Sequence, residues 1–142
     1  MLHVVTETEL RVATIKDVPV LARRWYAEKP KTCFAKVHVE WTEEGCAAFL
    51  TEIIDNPNHL LACNDTLTAA IGATLYHELL PPHPLVAYEW MWWGDQKRAV
   101  VELLHMAMSW AKFHKAVGFR YILNVPSKSA TKFTETNRWE VL

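Results

Sequence analysis

The chain has only four glycines in 142 residues, and neither a G-x-S-x-G elbow nor a Walker loop occurs in it. It has three cysteines, Cys33, Cys46 and Cys63, and none of them forms a C-x-x-C pair. An odd, widely spaced set of cysteines fits a reducing compartment. We therefore interpret the cysteines as small buried hydrophobes rather than as nucleophiles or disulfide partners.

Charge of one sign and long apolar runs are also lacking. The net charge of −1 gives no general attraction to nucleic acid or to an anionic membrane. No apolar run approaches the roughly 20 residues of a membrane helix, and the first residues lack the basic-then-apolar order of a signal peptide. The seven histidines show no H-x-x-x-H or H-x-H pair, so we expect no metal site. The expectation is a cytoplasmic protein without nucleic-acid or membrane partners.

What the chain does have is apolar residues, 51% of the total, and seven tryptophans. At this length it can bury a core of its own. We expect a single domain over residues 1–142, with residues 1–8 as a flexible tail. No internal repeat or low-complexity tract interrupts it.

The stretch 85–117 is the most informative. Residues 86–93 are β-branched, aromatic or apolar apart from Glu89, which predicts a strand buried on both faces. Gly94 and Asp95 break this run, and a polar stripe at steps of three and four then predicts a helix from about Lys97 to Val117, ended by Gly118. The turn aims the helix N-terminus past the end of the strand, which makes an anion site.

The other elements follow from capping residues, periodicity and turn signals. We predict, in order, a strand at 10–15, a helix to Glu28, a helix capped by Thr42, a hairpin over 59–76, the central strand and helix, a strand at 119–125, a helix from Pro126 to about Thr136, and an extended end. The order β-α-α-β-β-β-α-β-α-β predicts an α/β fold whose mixed, mostly antiparallel sheet has helices on both faces. The fourth and fifth strands would be parallel, joined by the central helix, and a gap between them would hold a ligand.

This order resembles the GNAT superfamily of acetyl-CoA-dependent N-acetyltransferases, including its divergent phage-type members. Leu10 to Leu21 resembles the family's first strand and helix with its R-x-A-x-x-x-D signature, carried here by Arg11, Ala13 and Asp17. Ala70-Ile71-Gly72 is similar to its V-x-G motif, and Ala130 to Trp139 to its last helix and ending. The order and spacing of these short motifs give the resemblance its weight.

The resemblance implies that acetyl-CoA binds the fourth strand and the loop after it. The pantetheine arm would contact Met91, Trp92 and Trp93. The pyrophosphate would contact a loop made of Asp95, Gln96, Lys97, Arg98 and Ala99. The family's Q/R-x-x-G-x-G/A loop has later glycines that this chain lacks. Asp95 adds a repelling charge, for which Lys97 and Arg98 would compensate.

Acetyl transfer also needs a base for the amine and an acid for the thiolate. Glu89 is our candidate base, because it is the only carboxylate in a buried strand and burial makes a carboxylate more basic. The alternative is a strand residue that reaches solvent or pairs with arginine; His77 and Glu78 are weaker candidates. Phe133 stands where the resemblance implies an acidic tyrosine, and Ser127 and Ser129 are poor replacements.

Two functions remain open at this point. The first is acetyl transfer to a primary amine of a small molecule or peptide. The second is a GNAT-fold module without catalysis, such as a phage assembly protein, favoured by the missing glycines and tyrosine. An exposed sheet edge at the end of the chain favours a homodimer.

Overall fold

A computed structural model of the chain describes residues 9–28, 42–126 and 133–142, with 122–126 and 133–138 described as backbone only. After the first strand, a 3₁₀ turn at Ile15–Asp17 leads into the first helix. The elements are β1 Leu10–Val12, α1 Val18–Glu28, α2 Glu43–Ile53, β2 His59–Asn64, β3 Ala69–His77, β4 Leu85–Gly94, α3 Lys97–Phe113, β5 Gly118–Pro126 and β6 Phe133–Val141.

The six strands form one sheet in chain order, from β1 to β6. Every neighbouring pair is antiparallel except β4 and β5, which are parallel and are joined by α3. The predicted mixed, mostly antiparallel sheet is therefore confirmed, as is the crossover made by the central helix.

Helices cover both faces of the sheet, as predicted. The core beneath α1 and α2 includes Leu21, Trp25, Leu50, Met91 and Trp93. The opposite core lies beneath α3, whose small alanines and leucines pack on β2, β3, β4 and β5; its buried members include Ile71, Ala73, Ala87, Leu103, Ala107 and Phe119. β4 contributes to both cores, which explains its nearly unbroken apolar composition.

The first strand and the first helix are tied together by the residues of the R-x-A-x-x-x-D signature. Arg11 reaches both carboxylate oxygens of Asp17, at 2.7 and 2.9 Å, and its Nε donates to Asp65 at 2.8 Å. The Asp17 carboxylate also accepts the backbone N–H of Thr14 at 2.7 Å. These bonds hold the pKa of Asp17 at about 2, because they stabilise the charged form. The signature is thus a structural ion pair at the start of α1.

The helix predicted from Pro126 to about Thr136 is wrong wherever the structure describes it, because Pro126 is the last residue of β5. Residues 133–136 belong to β6, which pairs with β5 from Phe133 opposite Pro126 to Val141 opposite Gly118. The alternation of threonines with polar residues in this segment suits a strand, and the long ladder with β5 outweighs the cap signal of Pro126-Ser127. Phe133 therefore does not occupy a helical position; Ser127 and Ser129 lie outside the described residues.

The end of α3 also differs from the prediction. The helix stops at Phe113, and Lys115, not Gly118, takes the left-handed conformation with φ of 69°. The Lys115 N–H donates to the carbonyl of Lys112, and the Ala116 N–H donates to that of Ala111, both at 3.0 Å. This is a Schellman motif with a non-glycine residue at its strained position. None of the described helices has the length and apolarity to cross a bilayer.

Candidate cofactor and active site

The parallel strands β4 and β5 part soon after they begin to pair. Their pairing in the described chain consists of Ala87 opposite Phe119 and Tyr88 opposite Arg120. β4 then runs on to Gly94 and β5 to Pro126. The fork beyond Tyr88 is the gap that the sequence predicted at the carboxyl ends of these strands.

A β-bulge shapes β4 at the mouth of this fork. Gly72 of β3 pairs with Met91, whereas Ala73 pairs with Glu89, so Trp90 is the extra residue on β4. A bulge bends its strand and sharpens the local twist. Here it bends β4 just where β5 departs from it.

The bulged Trp90 is held by specific contacts. Its Nε1 donates to Thr74 Oγ1 at 2.9 Å, and its ring packs edge-on against Phe49 with centroids 5.0 Å apart. Its ring also lies 5.2 Å from that of Trp25 in α1. The bulge is therefore buttressed from both helices that cover this face.

Glu89, the candidate base, lies at the fork itself. It follows Tyr88, the last β4 residue paired with β5, and it stands opposite Ala73 with a half-buried side chain. His77 and Glu78 lie at the other end of β4, where His77 pairs with Leu85. Tyr76 donates to Glu78 at 3.2 Å, and burial together with this bond raises the pKa of Tyr76. The geometry thus separates Glu89, which adjoins the gap, from the two weaker candidates.

A cross-strand row of polar and aromatic side chains runs through the last paired position before the fork. It lies on the face that also carries α1 and α2 and consists of His59, Thr74, Tyr88, Arg120 and Trp139. Thr74 Oγ1 is 2.7 Å from His59 Nδ1, and burial lowers the pKa of His59. The neutral form of this histidine is therefore favoured.

The three residues predicted to contact pantetheine are largely core side chains. Met91 and Trp93 are 2% and 6% exposed and lie in the core beneath α1 and α2. Trp92 points to the α3 side, where its Nε1 donates to the carbonyl of Val100 at 2.9 Å. A cofactor arm would therefore meet the backbone of β4 more than these side chains, and the predicted contact remains a prediction.

The predicted phosphate loop connects β4 tightly to α3. A Cβ on Gly94 would stand 2.4 Å from Val100 Cγ2 and 3.0 Å from the Cβ of Ala69, so the glycine lets α3 start close to the sheet. Gln96 is the N-cap residue and makes no side-chain capping bond. The first amides of α3 have no partner within the helix and carry the positive end of its dipole. The loop therefore has the geometry of an anion site, although it lacks the expected glycines.

Arg24 of α1 is a site residue that sequence reasoning missed. Its Nη2 donates to Asp95 Oδ1 at 2.7 Å, its Nε donates to Glu28 at 2.8 Å, and its guanidinium lies 4.6 Å from the ring centroid of Trp93. These bonds, the one to Asp95 above all, raise the pKa of Arg24. The spacing of Arg24 and Glu28 could have revealed their pairing. No local sequence pattern indicated that Arg24 would also pair with Asp95.

The loop's charge is therefore balanced differently from the prediction. Asp95 is compensated by Arg24, from a different element, rather than by its neighbours alone. Arg98 donates to Glu102 at 3.0 Å along its own helix. Three further lysines between α1 and α2, Lys29, Lys31 and Lys36, lie outside the described residues.

The thiols confirm the structural interpretation where they are described. Cys46 and Cys63 are free and buried. Burial raises the pKa of Cys63 to about 11, so the thiolate needed for nucleophilic attack is scarce at neutral pH. Cys33 lies outside the described residues.

Comparison with solved structures identifies the fold. An acetyltransferase of the GNAT family from Streptococcus pneumoniae matches with a TM-score of 0.58 and 17% identity, over 85% of this chain and 77% of that chain. Glucosamine-6-phosphate N-acetyltransferase from Arabidopsis thaliana matches with a TM-score of 0.56 and 14% identity, over 85% of both chains. The chain has a GNAT fold. The resemblance seen in the sequence is thereby confirmed at the level of fold.

The chain is also similar in structure to a protein that is not named as an acetyltransferase. A transcriptional regulator from Bacillus halodurans C-125 matches with a TM-score of 0.60 and 14% identity, over 85% of this chain and 83% of that chain. No protein-family model matches the chain, and no curated protein sequence does either. Because a GNAT fold can serve more than one function, the activity has to be inferred from the site.

Proposed function

We propose that the protein is an acetyl-CoA-dependent N-acetyltransferase that acts on a primary amine of a small molecule or peptide. The observation that carries this proposal is the position of the β4–β5 fork, which adjoins Glu89 and leads along β4 to the N-terminus of α3. One continuous strand and loop thus join a candidate base to a candidate anion site. The reaction would take place in the cytoplasm.

The site's residues fit acetyl-CoA, which supplies an acetyl thioester when bound. Beyond Tyr88, β4 lacks parallel pairing with β5 in the described chain, so its backbone can pair with an extended amide-bearing arm. The N-terminal amides of α3 can receive a pyrophosphate, helped by the charges of Lys97 and Arg98. At the same end of the sheet, the buried Nε1 of Trp93 has no hydrogen-bond partner among the described residues.

In this proposal Glu89 accepts the proton that the amine loses, directly or through a water molecule. The amine nitrogen forms a bond to the acetyl carbonyl carbon, the carbon–sulfur bond breaks, and the thiolate takes a proton from solvent. Backbone N–H groups of β4 at the fork would stabilise the developing negative charge on the carbonyl oxygen. Phe133 cannot supply the proton for the thiolate, because a phenyl ring has no group that donates one.

A GNAT-fold module without catalysis is the second candidate, because Gly94 is the only glycine in the loop region 94–99. The last strand, β6, is the sheet edge next to β5, and Trp139 and Val141 on it are 52% and 94% exposed. In that case the edge would bind a second copy of the chain or another protein. A phage assembly role belongs to this second candidate.

Titration calorimetry with acetyl-CoA decides between the two. We expect micromolar binding by the wild type and at least about a tenfold loss in Lys97→Glu/Arg98→Glu, because four units of charge change at the phosphate loop. Lys112→Glu/Lys115→Glu is the matched control, with the same charge change at the other end of α3. Undetectable binding at millimolar acetyl-CoA overturns the enzyme proposal and leaves the module.

Thiol release with a panel of amines then tests the base. Glu89→Gln keeps the shape of the side chain and removes its basicity, so we expect kcat to fall by about 10²- to 10⁴-fold while acetyl-CoA still binds. Glu44→Gln, at an exposed position of α2, is the control for loss of a carboxylate. Full activity in Glu89→Gln would rule out Glu89 as the base.

A further inference from the structure

We propose that Arg24 is a positioning residue of the cofactor loop, which holds the Asp95 carboxylate toward α1 and keeps the N-terminus of α3 available to the pyrophosphate of a coenzyme A thioester. This role rests on the function proposed above. It concerns two residues on different elements, α1 and the β4–α3 loop.

The contacts fix the guanidinium on three sides. Asp95 Oδ1 is 2.7 Å from Nη2, and Glu28 Oε1 is 2.8 Å from Nε. The ring of Trp93 lies beneath the group, with its centroid 4.6 Å from Cζ, in the range of a cation–π contact. Trp93, the next-to-last residue of β4, is itself 6% exposed and lies in the core, so Arg24 packs on a rigid surface.

The ion pair between Arg24 and Asp95 is too exposed to contribute much to the stability of the fold. The side chain of Arg24 is 29% exposed and that of Asp95 is 52% exposed, and solvent screens ion pairs of this kind. Its position suggests another role. Asp95 directly precedes the N-cap Gln96, where a carboxylate competes with any anion for the helix amides.

The charge balance makes Arg24 important for an incoming phosphate. Arg24 is shared by two carboxylates, so its loss leaves Glu28 and Asp95 without its positive charge beside the loop. Without the bond from Arg24, the Asp95 carboxylate could turn toward the amides of α3 and repel the pyrophosphate. Removing Asp95 as well should relieve both effects. This dependence of one substitution on the other is the signature of a positioning role.

The test is a double-mutant cycle read by calorimetry with acetyl-CoA. We expect Arg24→Ala to weaken binding by roughly tenfold, within the range of couplings between contacting charges. We expect Asp95→Ala to bind as well as the wild type or better, and Arg24→Ala/Asp95→Ala to recover binding to within about threefold of Asp95→Ala. Added salt should reduce the difference in acetyl-CoA affinity between Arg24→Ala and the wild type.

Arg23→Ala is the matched control. It removes the same charge from the neighbouring position of α1, where the side chain is 77% exposed and 3.9 Å from Glu43. Thermal unfolding without ligand shows whether each variant is folded. Arg24→Lys keeps the positive charge, so it should bind acetyl-CoA more tightly than Arg24→Ala does.

The outcomes separate this role from the proposed function. If the wild type fails to bind acetyl-CoA, the proposed function fails and this role fails with it. If the wild type binds but Arg24→Ala binds equally well, the positioning role alone is wrong. If the double variant binds as weakly as Arg24→Ala, Arg24 acts on the ligand directly and not through Asp95.

Discussion

Trp90 lies so close to Gly72 of the neighbouring strand that a Cβ on Gly72 would stand 2.5 Å from Trp90 Cη2. Trp90 is also the bulged residue that bends β4 at the fork. The glycine of the Ala70-Ile71-Gly72 motif is therefore required by the bulge: it makes room for the indole that holds the bulge in place.

Gly72→Ala should destabilise the protein by about 1–3 kcal/mol, because the added methyl forces the buttressed indole of Trp90 to move. Urea unfolding measures the change. Gly118→Ala is the control, since the nearest atom to a Cβ there is 3.6 Å away, and it should be tolerated. Equal stability of Gly72→Ala and the wild type would show that Trp90 can move without cost.

Asp17→Asn should lower the free energy of unfolding by about 2 kcal/mol at pH 7, because the ion pair with Arg11 is lost. The pKa of Asp17 in the folded protein, about 2, lies below the ordinary value of 3.8. The stabilisation is therefore complete above about pH 5 and is lost as the pH falls toward 2.

Unfolding of the wild type and of Asp17→Asn by urea at several pH values tests whether the stabilisation by Asp17 is lost as the pH falls. The difference between them should shrink below about pH 4. Asp65→Asn removes a second carboxylate from the same arginine, at a site 49% exposed, and should cost less than about 1 kcal/mol. A difference between wild type and Asp17→Asn that stays constant down to pH 3 would contradict the assignment.

Lys115→Gly should stabilise the protein by about 0.5–1 kcal/mol, because glycine adopts the left-handed conformation at the end of α3 without steric cost. The melting temperature measures it. Lys112→Gly, within the last turn of α3, should instead destabilise by about 1 kcal/mol. Destabilisation by both substitutions would mean that the Lys115 side chain contributes more than its backbone strain costs.

Much of the fold could be predicted because its signals are local. Thr42 caps α2 as expected, with its Oγ1 accepting the N–H of Gly45 at 2.9 Å. β4 and α3 follow directly from composition and period. The first part of β6 was predicted as a helix because its ladder with β5 depends on residues distant in sequence, which a short-range cap signal at Pro126-Ser127 cannot report.

The site could be predicted only in part, for the same reason. The composition of the central strand indicated Glu89 as a candidate base, and the GNAT resemblance indicated the loop from Asp95 to Ala99, because both follow from position along one strand and helix. Arg24 and Asp95 are 71 positions apart, and neither sequence environment indicates the other. The bulge at Trp90 likewise depends on pairing with β3, which periodicity along β4 does not specify.

Hydrogen–deuterium exchange with and without acetyl-CoA shows where along the backbone the ligand binds. We expect acetyl-CoA to slow exchange in residues 89–99, the β4 segment beyond the fork and the start of α3, and to leave exchange in β1 and β2 unchanged. No protection in residues 89–99 at saturating acetyl-CoA would contradict the assignment of this fork as a cofactor site.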